Sequence, residues 1–207
     1  MTLLRTVAIL RGFTPARTVE LAERAWAIGM DLVEVPVQGE AGWAALEAVA
    51  ASARDRTFGA GTILSSTDAS RAIGCGASVV ISPSVHPDVI ATALTAGAVP
   101  LPGVMTPTDV ANAARHGVEI CKLFPANLVG PGWLEAMRGP FPDIGFVAVG
   151  GISAANLDDY LDAGAVGVAF GGSIERFLDS PQAEDVVAAA HARVSRGTPT
   201  GPAAVSS

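Results

Sequence analysis

Lysine is almost absent from this chain: of its 207 residues twelve are arginine and one, Lys122, is lysine. Cysteine and histidine are nearly as scarce. Cys75 and Cys121 are too few for a disulfide framework and form no Cys-x-x-Cys pair. His86, His116 and His191 stand too far apart for any two to share one turn of a helix, so no metal site is expected. Positive charge is short as well, with 13 basic against 20 acidic residues and a net charge of −7. No run of Lys and Arg is dense enough to track a phosphate backbone, which excludes nucleic acid as an expected partner. Long apolar runs are missing too, although half of the residues are hydrophobic. Every such run is broken well before the roughly 18 residues that a membrane span needs, so no membrane partner is expected. The opening MTLLRTVAILRG carries an arginine inside its apolar stretch and no small-residue cleavage site. It does not read as a secretion signal, and a cytoplasmic location is expected.

What remains after these exclusions is a chain with enough apolar content to bury a sizeable core and to rule out intrinsic disorder. Short β-branched runs alternate with longer Ala-rich amphipathic segments. The strand candidates are Thr6–Arg11, Leu32–Pro36, Thr57–Gly61, Ser78–Ile81, Val99–Pro102, Ile120–Phe124, Phe146–Val149 and Val166–Phe170. Most are continuously apolar, as strands covered on both faces must be. Several helix candidates begin at a capping residue: Thr14 before Pro15, Ser65 or Ser66, Thr106 before Pro107, and Ser153. Many end in a glycine step such as Ile28-Gly29, Ile73-Gly74, Ala96-Gly97, His116-Gly117 or Ala163-Gly164. Eight βα units in series predict a small single-domain α/β fold, the (β/α)₈ TIM barrel, over residues 1–195. An open doubly wound sheet is the alternative, but no Gly-x-Gly-x-x-Gly follows the first strand. Residues 196–207, rich in Gly, Pro and Ser, are expected to form a disordered tail.

In such a barrel the active site lies at the C-terminal ends of the strands. Glu34 stands between Val33 and Val35 in a strand otherwise made for burial, and alternation sends it to the face opposite both valines, the barrel interior. Lys122, on the sixth strand, is expected to enter the same interior. In a chain that has otherwise gone over to arginine, a remaining lysine is expected where a guanidinium cannot substitute: an amine can shed its proton and attack a carbonyl, whereas arginine stays charged. Glu34 and Lys122 are then either a buried ion pair that fixes packing or a general base and a nucleophile, and the positions favour the second reading. Gly150-Gly151 and Gly171-Gly172-Ser173 follow the seventh and eighth strands, where this fold frequently binds phosphate through backbone N–H groups; plain turn glycines are the alternative. Arg11, at the end of the first strand, is either a carboxylate clamp or a surface arginine. Thr62 either donates a hydroxyl into the pocket or caps the next helix. His86 is expected to be a solvated loop residue, and Cys121 to face the core.

The segments RGFTP, VEVPV, GAGT, SPSVHPDVI, PGVMTPTD, CKLFPA, VGGISAANLDDYLDAGA and GGS, in this order, resemble the 2-keto-3-deoxy-6-phosphogluconate/6-phosphogalactonate aldolases, a family of class I pyruvate aldolases. The resemblance runs from about Ala8 to Ser173. It implies that Lys122 forms a Schiff base, that Glu34 shuttles protons, that Arg11 and Thr62 contact the keto-acid end, and that Gly151, Gly171, Gly172 and Ser173 bind phosphate. It implies no cofactor, a phosphorylated 2-keto-3-deoxy sugar acid as the small-molecule partner, and a homotrimer. The Arg11–Pro15 opening and the Glu34-Val35-Pro36 run are more similar to the phosphogalactonate branch, as is Val129-Gly130-Pro131. Where the phosphogluconate branch has an Arg–Thr pair, this chain has Gln38-Gly39, and Ala126-Asn127 replaces a pair of serines. The implied reaction is cleavage of 2-keto-3-deoxy-6-phosphogalactonate. The alternatives are the phosphogluconate epimer, 4-hydroxy-2-oxoglutarate, or a phosphosugar-binding barrel without catalysis.

Overall fold

A computed structural model describes residues 4–197. Eight parallel strands pair in sequence order: β1 (Thr6–Ile9), β2 (Leu32–Pro36), β3 (Phe58–Gly61), β4 (Val79–Ser82), β5 (Val99–Val104), β6 (Ile120–Leu123), β7 (Gly145–Val149) and β8 (Gly167–Phe170). β8 pairs back onto β1, with Ala8 opposite Phe170, so the sheet closes and leaves no edge. This is the predicted TIM barrel. Around it run α1 (Pro15–Ala27), α2 (Gly39–Ala53), α3 (Ser66–Gly74), α4 (Pro87–Thr95), α5 (Pro107–Arg115), α6 (Ala126–Val129), α7 (Gly132–Arg138), α8 (Leu157–Asp162), α9 (Ile174–Leu178) and α10 (Ala183–Gly197). No helix among the described residues is long and apolar enough to cross a membrane.

The period-2 alternation of the strands sorts their side chains into two shells. Val33, Val35, Cys121 and Leu123 pack outward against the helices, in one cluster with Leu21, Leu46 and Val110. Val7, Ile9, Leu32, Val79, Ile81, Leu101, Val147 and Val149 fill the barrel. At the N-terminal end of the barrel, Asp31 takes a 2.7 Å ion pair from Arg5 and lies 3.1 Å from His191 of α10, whose ring is also 2.9 Å from the Thr6 hydroxyl. These contacts tie the last helix to the first strand.

Local signals fixed most boundaries. Thr14 and Ser65 accept from the backbone N–H three residues on, and Thr106 forms a reciprocal capping box with Asp109. Ser153 does not cap a helix. Its hydroxyl donates to the Asn156 side chain, whose oxygen also accepts from the Ser153 N–H, so a turn forms there and α8 starts only at Leu157. Gly74 lies inside α3; the left-handed step into β4 is taken two residues later by Gly76, at φ +97°. β1 stops at Ile9 rather than running to Arg11, and β5 extends to Val104. α10 continues through Gly197, and the rest of the expected tail, 198–207, lies outside the described residues.

Candidate active site

Glu34 and Lys122 meet inside the barrel. The Lys122 Nζ lies 3.7 Å from Glu34 Oε1, and the two residues are 5% and 1% exposed. That separation is longer than a direct hydrogen bond. Glu34 Oε1 accepts no hydrogen bond from any described residue, although it is fully buried. On its other side the amine stands 5.1 Å from the ring centre of Phe124, which borders solvent at 37% exposure.

Glycine makes the room. A Cβ on Gly61 would stand 2.1 Å from Glu34 Oε1, and one on Gly103 would stand 2.2 Å from the Pro83 carbonyl oxygen. Gly103 is the strand neighbour of Lys122, and Gly61 is the last residue of β3, beside Pro36 of β2. The missing side chains are thus replaced by the Glu34 carboxylate on the β3 side and by the Pro83 backbone on the β5 side, while Ile81 and Leu101 belong to the apolar filling of the barrel.

Three loops converge at the mouth. Arg11 extends from the loop after β1. It donates to the Gln38 side-chain oxygen from the loop after β2, and at 3.3 Å to the Thr62 hydroxyl from the loop after β3. Arg11 and Thr62 are thus brought together as expected. Thr62 is not a cap; Ser65 caps the next helix instead. Thr62 also has φ +61°, the left-handed region in which a β-branched residue is an outlier, at a cost on the order of 1–3 kcal/mol. Sequence reasoning marked Gln38 only as a departure from the phosphogluconate branch; its contact with Arg11 spans 27 residues, and no local signal announces it.

The glycine loops after β7 and β8 lie next to each other. Gly151 sits at φ +72°, and a Cβ there would press to 2.6 Å on Asn127 Cβ. The Asn156 amide donates to the Gly151 carbonyl at 2.9 Å, and the Asn127 N–H donates to the Gly150 carbonyl at 3.1 Å. These two asparagines brace the turn, which sequence reasoning missed. Gly172, by contrast, has nothing within 4 Å of a would-be Cβ, and Gly171 meets only Ile9 at 3.8 Å. Neither packing nor φ demands glycine at 171 or 172; the glycines leave open backbone. Ser153 and Ser173 line one cavity of about 390 Å³ together with Arg176.

Other candidates fall away from the site. Burial pushes the Cys121 thiol up to about 12, which makes it a poor nucleophile. His86 is half-buried and bonded to the Ser84 hydroxyl at 2.9 Å, at the start of α4.

Known proteins resemble this chain in both sequence and fold. The family model described as KDPG and KHG aldolase matches residues 1–191. A protein of Rhizobium meliloti (strain 1021), named as a probable 2-dehydro-3-deoxy-6-phosphogalactonate aldolase, is 35% identical over 170 residues, 81% of this chain and 80% of its own. A 2-dehydro-3-deoxy-phosphogluconate aldolase of Pseudomonas aeruginosa is 35% identical over 164 residues, 77% and 74% of the two chains. The solved structure described as native KDPGal superposes with a TM-score of 0.83 at 28% identity, covering 95% of this chain and 98% of that one.

Proposed function

The chain belongs to the KDPG and KHG aldolase family, and from that premise we propose a class I cleavage of 2-keto-3-deoxy-6-phosphogalactonate to pyruvate and glyceraldehyde 3-phosphate, with Lys122 as the Schiff-base residue. An aldolase is a carbon–carbon lyase, so the general reaction follows from the family; the substrate and the residue roles are the proposal. The observation that carries it is the buried pair: an amine 3.7 Å from a carboxylate oxygen that accepts no hydrogen bond from any described residue.

The free amine of Lys122 attacks the C2 ketone, and loss of water gives an iminium. Glu34 Oε1 accepts the proton of the C4 hydroxyl. The C3–C4 bond then breaks, its electron pair entering the iminium to give an enamine, and glyceraldehyde 3-phosphate leaves. Protonation of C3 by Glu34 restores the iminium, and water releases pyruvate and the amine. Arg11 and the Thr62 hydroxyl are suited to the C1 carboxylate, because they converge at the mouth. The open backbone at Gly171 and Gly172, with Ser173 and the braced turn at Gly151 beside it, is suited to the phosphate.

The galactonate epimer is favoured by the Arg11–Pro15 opening and the Glu34-Val35-Pro36 run. Kinetics on both C4 epimers and on 4-hydroxy-2-oxoglutarate test that choice: kcat/KM is expected to be highest for the phosphogalactonate, and a preference for either of the others overturns it. A homotrimer belongs to the same reading, and the exposed Leu64, Leu94, Met105, Phe124 and Leu128 are the large apolar side chains available to subunit contacts. Two cysteines without disulfides fit a cytoplasmic location.

Borohydride reduction with pyruvate, followed by peptide mass spectrometry, tests the chemistry. A reduced adduct on the Lys122 peptide is expected, and none in Lys122→Arg; with one lysine in the chain the assignment is nearly unambiguous. A folded protein that takes up no pyruvate would refute the Schiff-base role and leave a phosphosugar-binding barrel.

A further inference from the structure

Arg11 differs from six other arginines of this protein in what holds it. Arg5, Arg17, Arg24, Arg56, Arg71 and Arg193 each pair with an aspartate or glutamate. Arg11 is held by two neutral acceptors, the Gln38 amide oxygen and the Thr62 hydroxyl, and no carboxylate pairs with it among the described residues. A guanidinium carries donors only, so the amide atom that faces it must be the oxygen, which fixes the orientation of the Gln38 side chain. Gln38 occupies the N-cap position of α2, yet its side chain caps nothing there. Its polar end is directed to the arginine instead.

Resting on the aldolase reading above, we propose that Gln38 is a positioning residue for Arg11. It fixes the guanidinium at the mouth through a neutral acceptor and so keeps the full positive charge for the keto-acid carboxylate. A charged acceptor would hold the arginine equally well and cancel that charge. An apolar residue would leave the charge but release the arginine, which among the described residues is tied otherwise only by a 3.3 Å bond to Thr62. This chain thus needs an uncharged acceptor at position 38, where the phosphogluconate branch that it resembles has the first residue of an Arg–Thr pair.

The test compares Gln38→Ala and Gln38→Glu with the native protein. The readout is the pyruvate concentration that half-saturates the borohydride-trapped adduct, alongside kcat and KM for cleavage. Loss of one fixed charge-assisted bond is expected to raise the half-saturating concentration about tenfold in Gln38→Ala, and more in Gln38→Glu. The split is diagnostic: kcat is expected to fall by less than about threefold, because neither variant alters the nucleophile or the proton shuttle. Gln38 is exposed and makes no helix cap, so the thermal midpoint should stay within a few degrees; a purely structural role would move the midpoint and not the affinity. Native half-saturation in either variant overturns the proposal. If the native protein itself forms no adduct, the Schiff-base reading fails separately, and calorimetric titration of pyruvate into the same three proteins still reads the anion affinity of Arg11.

Discussion

Replacing Gly61 by alanine separates catalysis from stability in a way the geometry makes quantitative. The new Cβ would lie 2.1 Å from Glu34 Oε1, 2.8 Å from Cδ and 2.9 Å from Cγ. Ordinary contact starts near 3.4 Å, so the carboxylate must withdraw by roughly 1 Å, a misplacement that typically lowers turnover about 10²-fold. The fold has less at stake. The obstructing atoms are the end of a side chain rather than backbone, so overpacking should cost no more than about 1–3 kcal/mol. Alanine also recovers about 0.5–1 kcal/mol of the chain entropy that glycine forfeits. The net loss of about 2.5 kcal/mol or less corresponds to a drop in the thermal midpoint of at most about 10 °C for a domain of this size. Pyruvate release, coupled to lactate dehydrogenase, and a thermal melt read the two quantities. Pyruvate trapping on Lys122 should persist, because the amine is untouched. Turnover within about threefold of native would refute the assignment of Glu34 as the proton shuttle, whose usual contribution is about 10²–10⁴-fold. A midpoint lowered by far more than this would refute the claim that the strain falls on the carboxylate alone.

Three further outcomes follow from the same coordinates. Glu34→Gln should slow cleavage by about 10²–10⁴-fold while leaving trapped pyruvate detectable, and an unchanged rate would remove Glu34 from the chemistry. Gly167→Ala is the opposite of Gly61→Ala: its Cβ would stand 1.9 Å from the Leu4 backbone oxygen, so it should cost about 3 kcal/mol or more of stability, read by urea unfolding; a native midpoint would contradict it. Burial holds His191 below the usual imidazole range against the pull of Asp31, with Arg5 adding to the lowering. The unfolded chain therefore takes up this proton first as pH falls below about 6.5, and stability is lost until the folded ring also titrates. Melts from pH 7.5 to 5 should fall less steeply for His191→Gln than for the native protein, and parallel curves would refute the linkage.

The barrel was legible because strands buried on both faces must be apolar, and their number and spacing survive in the sequence. The pair at its centre was legible for a related reason: Glu34 and Lys122 are charged residues in runs that exclude charge, and alternation alone sends them inward. Arg11 and Thr62 were placed at the mouth by their position after β1 and β3. The rest depended on neighbours that sequence distance hides. Gln38 meets Arg11 only because β1 and β2 are adjacent, and Thr62 is left-handed only in the finished loop. Ser153 fails as a cap because Asn156 competes for its hydrogen bonds, and both outcomes were compatible with the same four residues. Gly74 and Gly76 flank one cysteine, and which of them takes the left-handed step is decided where β4 begins.

The single lysine carries a consequence for how this protein meets reactive small molecules. Its outer cations are guanidinium groups, which acyl phosphates, thioesters and aldehydes modify slowly under mild conditions, and its one ε-amine is sealed in the barrel at 5% exposure. Damage that other proteins spread over dozens of surface amines is here confined to the N-terminal amine and one nitrogen behind a selective doorway. Amine-directed damage to this protein is then a matter of fit: an acylating agent or a simple aldehyde finds almost nothing to bite unless it is shaped to enter the barrel.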